Sequence, residues 1–242
     1  MLNKITASLI CMDLSDIKTD IDTLLDNGIN SLHADFMDNT FVPRLGISPE
    51  LIKWIKNRYG DNVHIDSHLM VQNPYQCIDV IAPFSDWVFF HYEAVSDPVR
   101  ILQKLCEHDV KKGIVYNIGT DTNESLINTN LVNGVMFMGI SPGVLGTRSW
   151  PEILKEKMIQ HRCIIERIIK HDDIPVFLDG GIDFNSIGEL TKDLNIIFSS
   201  CKGADKVVCG SSTLFKIDDD TCLMDREEMI KFNIRRIEEA MQ

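Results

Sequence analysis

No Pro-, Ser- or Gly-rich tract interrupts the 242 residues, so nothing marks a linker and a single domain over residues 1–242 is expected. There is no basic stripe either. The formal charge is −12, with lysines and arginines scattered among acids, which excludes a large nucleic-acid footprint. An anionic ligand would have to be held by local devices, such as backbone N–H groups and helix N-termini. The seven cysteines (Cys11, Cys77, Cys106, Cys163, Cys201, Cys209 and Cys222) are odd in number and show no C-x-x-C spacing. That argues against a disulfide framework and a thiolate zinc site, and suits a reducing compartment. No apolar run reaches membrane-spanning length, and Met1–Asp13 lacks a signal-peptide core, so no membrane partner and a cytoplasmic location are expected.

What is present is a regular alternation of short β-rich runs and amphipathic helical stretches. Strands are expected at Ile5–Ile10, Ser31–Phe36, Val63–Leu69, Trp87–His91, Gly113–Asn117, Gly134–Met138, Pro175–Asp179 and Lys206–Cys209. The helices between them begin near Ser15, at Ser48 (an N-cap before Pro49), and at Pro74, Pro98, Asn123, Trp150 and Asn185. The Trp150 helix is long and runs to His171, and Asp225–Met241 closes the chain. Strands apolar through most of their length belong in a parallel sheet covered by helices. Eight such units close into a single (β/α)8 barrel. The rival, a doubly wound open sheet, usually has a Gly-rich turn after its first strand. Here that turn reads Cys11-Met12-Asp13-Leu14, without glycine. Leu194–Gly203 is an enlarged connection before the eighth strand.

In such barrels the chemistry sits at the C-terminal ends of the strands. His33 and Asp35 are two apart on the second strand and so share a face. The third strand ends Asp66-Ser67-His68, the fourth His91-Tyr92-Glu93, and the seventh Asp179-Gly180-Gly181. Alone, a histidine at a strand end is usually a hydrogen-bonded core residue, and an aspartate before Gly-Gly a turn former. Together, two histidines and two aspartates could converge on one divalent ion, and such a mixed set suits Zn, Fe, Mn or Co better than Ca.

Glycines cluster in three neighbouring loops: Ser141–Thr147 after strand six, Gly180-Gly181 after strand seven and Gly210-Ser211-Ser212 after strand eight. Glycines often do no more than make tight turns, but barrels bind phosphate with loops in these places, and Ser212–Phe215 would be the short extra helix such sites use. Met37, Met70 and Met138 end three strands. Methionines usually fill core gaps, and here they could also floor a site.

Taken in order, these stretches resemble the ribulose-phosphate 3-epimerase family over nearly the whole chain. The matching runs are Ala7–Leu9, Leu32–Pro43, Asp66–Met70, His91–Glu93, Ser141–Gly146, Leu178–Ile182 and Gly210–Phe215. Cys11-Met12-Asp13-Leu14 is similar to the sequence of the family's hexulose branch, the D-allulose-6-phosphate 3-epimerases. The resemblance implies that His33, Asp35, His68 and Asp179 bind the metal and that Asp35 and Asp179 form the acid–base pair. It also implies that Ser8 and His68 meet the substrate. The phosphate would rest on the backbone of Gly143, Val144, Leu145, Gly146, Gly180, Gly181, Gly210 and Ser211. A homo-oligomer is expected on the same ground.

Inverting a carbon beside a carbonyl needs a proton removed from one face and one delivered to the other, and two opposed carboxylates suit that. A divalent metal would stabilise the cis-enediolate between the two steps. The chain departs from the family's usual pattern at Asn39, Thr40, Arg44, Val144, Thr147 (followed by Arg148) and Asn117-Ile118-Gly119, all bordering the lid or the sugar rim. The alternative is a catalytically degenerate barrel that only binds a sugar phosphate. Metal-free decarboxylase barrels tend to place a lysine among the carboxylates, and none stands beside Asp35 or Asp179.

Overall fold

The computed structural model describes residues 2–127, 129–144, 174–191, 194–196, 199–201 and 203–242. Eight parallel strands close into a barrel: β1 (Ile5–Ser8), β2 (Ser31–Met37), β3 (His64–Met70), β4 (Trp87–His91), β5 (Lys111–Tyr116), β6 (Gly134–Met138), β7 (Val176–Asp179) and β10 (Lys206–Cys209). Their order round the ring is β1-β10-β7-β6-β5-β4-β3-β2. The expected barrel is therefore present. The connection 194–203 contains two further strands, β8 (Leu194–Ile196) and β9 (Ser199–Cys201), paired antiparallel as a separate ribbon. The long helix expected at Trp150–His171 lies outside the described residues.

Two apolar layers hold the barrel. Outside, one face of each helix packs on the sheet through residues such as Ile21, Leu24, Ile52, Ile55, Leu102 and Ile230. Inside, Phe89, Val115, Met136, Met138 and Phe177 form their own cluster with Trp87 against it. The rings of Phe89 and Phe177 lie 4.7 Å apart between centroids. Gly113 makes room for this plug, since a Cβ there would fall 2.0 Å from the Phe89 ring. The plug fills the barrel interior beneath the C-terminal mouth, where barrel enzymes carry their chemistry.

Several ends differ from the sequence expectation for local reasons. β1 stops at Ser8, because Met12 N–H turns back to the Leu9 carbonyl at 3.2 Å and closes a 3-10 turn over Leu9–Cys11. Ser48 precedes Pro49 as expected, but its hydroxyl bonds Glu50 at 2.6 Å and caps no backbone group. Asp97 and Asp225 do cap their helices, accepting the N–H groups of Arg100 and Glu228. Ser212–Phe215 is a run of turns and not a helix. The N–H groups of Thr213 and Phe215 both bond the Gly210 carbonyl, at 3.1 Å each, which winds the segment too tightly round one acceptor to propagate. No helix among the described residues is long and apolar enough to cross a membrane.

Candidate active site

Strand register assembles the site. β2 and β3 pair with Asp35 opposite His68 and Met37 opposite Met70, while β1 and β2 pair with Ser8 opposite His33. On the other flank β6 and β7 pair with Met138 opposite Asp179. Because side chains alternate along each strand, this register turns the imidazoles and carboxylates into the mouth together.

One atom from each of His33, Asp35, His68 and Asp179 lies within 4.8 Å of all the others, and all four residues are buried. Asp35 Oδ1 stands 3.3 Å from His33 Nε2 and 3.3 Å from His68 Nδ1. Asp179 Oδ2 is 3.3 Å from His68 Nδ1 and 3.8 Å from His33 Nε2, and the two imidazole nitrogens are 3.4 Å apart. Metal–donor bonds of about 2.0–2.2 Å in a tetrahedron set donors about 3.3–3.6 Å apart; four of the five separations above fall on that edge, and the Asp179–His33 separation is longer. Asp35 Oδ1 has no hydrogen-bond partner although fully buried, so it faces the common centre unsatisfied. The four residues thus fit a divalent cation with mixed nitrogen and oxygen ligands.

Electrostatics agree. Burial works against charge on both His33 and Asp35, but their mutual attraction outweighs it. His33 is pushed up to about 9, and Asp35 is held well below the usual carboxylate range. The pair is held as opposed charges, and a divalent ion would compete with protons for the imidazole nitrogens.

Around the cluster a single cleft gathers most of the expected residues. Ser8, Asp35, Met37, Met70, Met138 and Asp179 line its floor and walls, and Gly143, Val144, Gly180, Gly181, Gly210 and Ser211 line its rim. His33 and His68 lie beneath it, fully buried. Leu145, Gly146, Thr147 and Arg148 lie outside the described residues. Gly180 and Gly181 both have positive φ, 85° and 70°, in the left-handed region that favours glycine. The Ser8 hydroxyl donates to Asp35 Oδ2 at 3.4 Å.

Arg44, expected at the lid or sugar rim, lines the cleft, and so does Cys11, which sequence reasoning did not place in the site. Cys11 enters through the 3-10 turn after β1, and burial raises its thiol pKa. Arg44 enters through the segment 38–46, which forms a strap across the mouth. Asp38 anchors it, accepting the N–H groups of Thr40 and Phe41 at 2.8 Å each and of Gln72 at 2.7 Å. The Phe41 ring packs on His91 at 4.9 Å, and Val42 is buried where a Cβ on Gly143 would come within 2.8 Å of its own. Since β2 and β6 stand half-way round the ring from each other, the Val42–Gly143 contact spans the mouth. The signal the sequence offered for this turn is the asparagine at 39, a residue type that tolerates the positive φ of 57° found there.

A closed parallel barrel with two carboxylates and two imidazoles converging at its C-terminal mouth defines an α/β-barrel enzyme. The chain belongs to the ribulose-phosphate 3 epimerase family, which it matches over residues 4–213, and it is an isomerase. It is 31% identical over 209 residues to the ribulose-phosphate 3-epimerase of Escherichia coli (strain K12), covering 86% of this chain and 87% of that protein. It is 26% identical over 225 residues to that of Methanocaldococcus jannaschii, covering 93% and 90%. Among solved structures, a mutant tryptophan synthase alpha-subunit from Pyrococcus furiosus superposes with a TM-score of 0.64 at 15% identity, covering 99% of this chain and 98% of that one; this likeness is one of fold.

Proposed function

We propose that this chain epimerises C3 of a ketose phosphate, with Asp35 and Asp179 as the acid–base pair. The observation that carries the reading is the convergence of these two carboxylates, from strands three apart round the ring, on one pair of imidazoles. A substrate carbon between them has a proton acceptor on one face and a proton donor on the other. One carboxylate takes the C3 proton, the cis-enediolate forms, and the other returns a proton to the opposite face. Ser8 steadies Asp35 through its hydroxyl. His33, Asp35, His68 and Asp179 would hold the divalent ion, which supplies Lewis-acidic charge beside the developing enediolate.

The glycine rim at Gly143, Gly180–Gly181 and Gly210–Ser211 takes the phosphate on backbone N–H groups, which orients C3 between the acids. Met37, Met70 and Met138 supply an apolar, polarizable floor. Arg44 is the only cationic side chain among the described lining residues, and it offsets the charge that a phosphate and two carboxylates bring together. Cys11, Cys77, Cys106, Cys209 and Cys222 are free thiols, which supports a reducing, cytoplasmic setting. The homo-oligomer rests on family resemblance alone.

The substrate is a pentulose or hexulose phosphate, and the resemblance of Cys11-Met12-Asp13-Leu14 to the hexulose branch favours the hexulose. Proton NMR of D-ribulose 5-phosphate and D-allulose 6-phosphate in D₂O with metal-loaded protein tests both points. Deuterium entering C3 is expected, and the faster substrate identifies the branch. No exchange with either would leave a binding protein without turnover.

A further inference from the structure

The structure assigns Glu93 a positioning role, in which it acts through His91 to fix which ring nitrogen of His68 is free to bind a cation. This role rests on the metal-site reading and extends it to residues outside the four ligands.

One chain of contacts links Glu93 to the cluster. Asn117 N–H donates to Glu93 Oε1 at 2.8 Å, and Glu93 Oε2 lies 3.3 Å from His91 Nδ1. His91 Nε2 lies 2.9 Å from His68 Nε2, and the two rings stack with centroids 5.0 Å apart. His68 Nδ1 then points at Asp35 and Asp179, 3.3 Å from an oxygen of each. His91 is fully buried, and the Phe41 ring against it contributes no strong donor or acceptor.

An ionised carboxylate only accepts hydrogen bonds. His91 must therefore turn an N–H from Nδ1 toward Glu93, which leaves the lone pair on its Nε2. Two imidazole nitrogens 2.9 Å apart share one proton, so that proton sits on His68 Nε2. Neutral His68 then carries its lone pair on Nδ1, in the centre of the cluster. The opposite polarity would put a proton on Nδ1, where it would bond Asp35 or Asp179 and bar an ion. His33 has no such instruction, since its Nδ1 finds no hydrogen-bond partner. Outer partners of this kind orient metal-binding histidines and set their tautomer.

Glu93→Gln tests the assignment. Asn117 N–H claims the amide oxygen, which leaves the amide NH₂ to face His91 and reverses every bond along the chain. The expected results are a dissociation constant for Zn²⁺, Mn²⁺ or Co²⁺, measured by chelator competition, that rises about 10–100-fold, and a ¹⁵N NMR pattern for His68 in metal-stripped protein that changes from Nε2–H to Nδ1–H. Glu93→Asp, which keeps an acceptor-only group, recovers part of the affinity. The melting temperature in chelator stays close to wild type, which separates positioning from folding. Equal ion affinity in wild type and Glu93→Gln with an unchanged ¹⁵N pattern would overturn the assignment alone. A wild-type protein that binds none of these ions would overturn the metal reading together with it.

Discussion

Asp179 and His68 stand 111 positions apart in the chain, yet Asp179 Oδ2 lies 3.3 Å from His68 Nδ1. Barrel closure brings them together, since neither their strands nor their loops are neighbours in sequence. The site therefore depends on the whole ring, which sets the position of every group that lines it.

Asp179→Asn keeps the side chain's size but removes its capacity to take or give a proton. C3 proton exchange into D₂O should fall at least about 100-fold, in keeping with the usual contribution of a positioned acid or base. The variant should keep a native melting profile. Exchange at near wild-type rate would remove Asp179 from the acid–base pair.

Gly210→Val crowds the rim. A Cβ at this position already approaches Cys11 Sγ to 3.0 Å, so the branched side chain would press on Cys11 and intrude on the rim proposed to hold the phosphate. Losing one charge-assisted hydrogen bond should raise KM about tenfold, with a smaller effect on kcat. An unchanged KM, measured where substrate binding is at equilibrium, would place the phosphate elsewhere.

The Arg44 guanidinium makes no hydrogen bond or ion pair among the described residues, although it lines the cleft. Arg44→Gln should raise KM about tenfold for the phosphorylated sugar, again the scale of one charge-assisted bond. Arg44→Lys should restore part of that loss. Because no partner among the described residues is left behind, stability should change little, as a urea titration would show.

Asp66 lies below the cluster, 2% exposed, with its carboxylate accepting a bond from the Thr6 hydroxyl at 3.2 Å. Burial pushes its pKa up to about 6, against 3.8 when unperturbed. The folded state thus holds a proton that the unfolded chain has released, so this residue's contribution is fully present below about pH 4 and lost as pH rises through about 6. A shift of this size corresponds to roughly 2–3 kcal/mol. Asp66→Asn should gain stability over wild type between pH 4 and 7, read as a urea midpoint at each pH. A pH-independent difference would show that Asp66 does not titrate in that window.

Much of the fold was legible because its causes are local. Strand and helix alternation follows from apolar spacing within each run, and eight units close a ring. The shared face of His33 and Asp35 follows from the two-residue strand period, and Gly180–Gly181 follows from the positive φ that the turn after β7 needs. The Ser212–Phe215 helix failed as an expectation because one carbonyl, that of Gly210, captures two N–H groups at once, which residue types do not announce.

Residue order was enough to specify the barrel, the strand tips that carry chemistry, and the four residues that meet at its centre. The remainder came from closure of the ring. Register set Asp35 against His68, and pairing of β4 with β3 joined Glu93 through His91 to the His68 ring in the buried cluster. The strap from β2 reached Gly143 across the mouth and brought Arg44 over the site. These are contacts between segments distant in sequence, and closing the ring is the physical step that brings them within bonding distance.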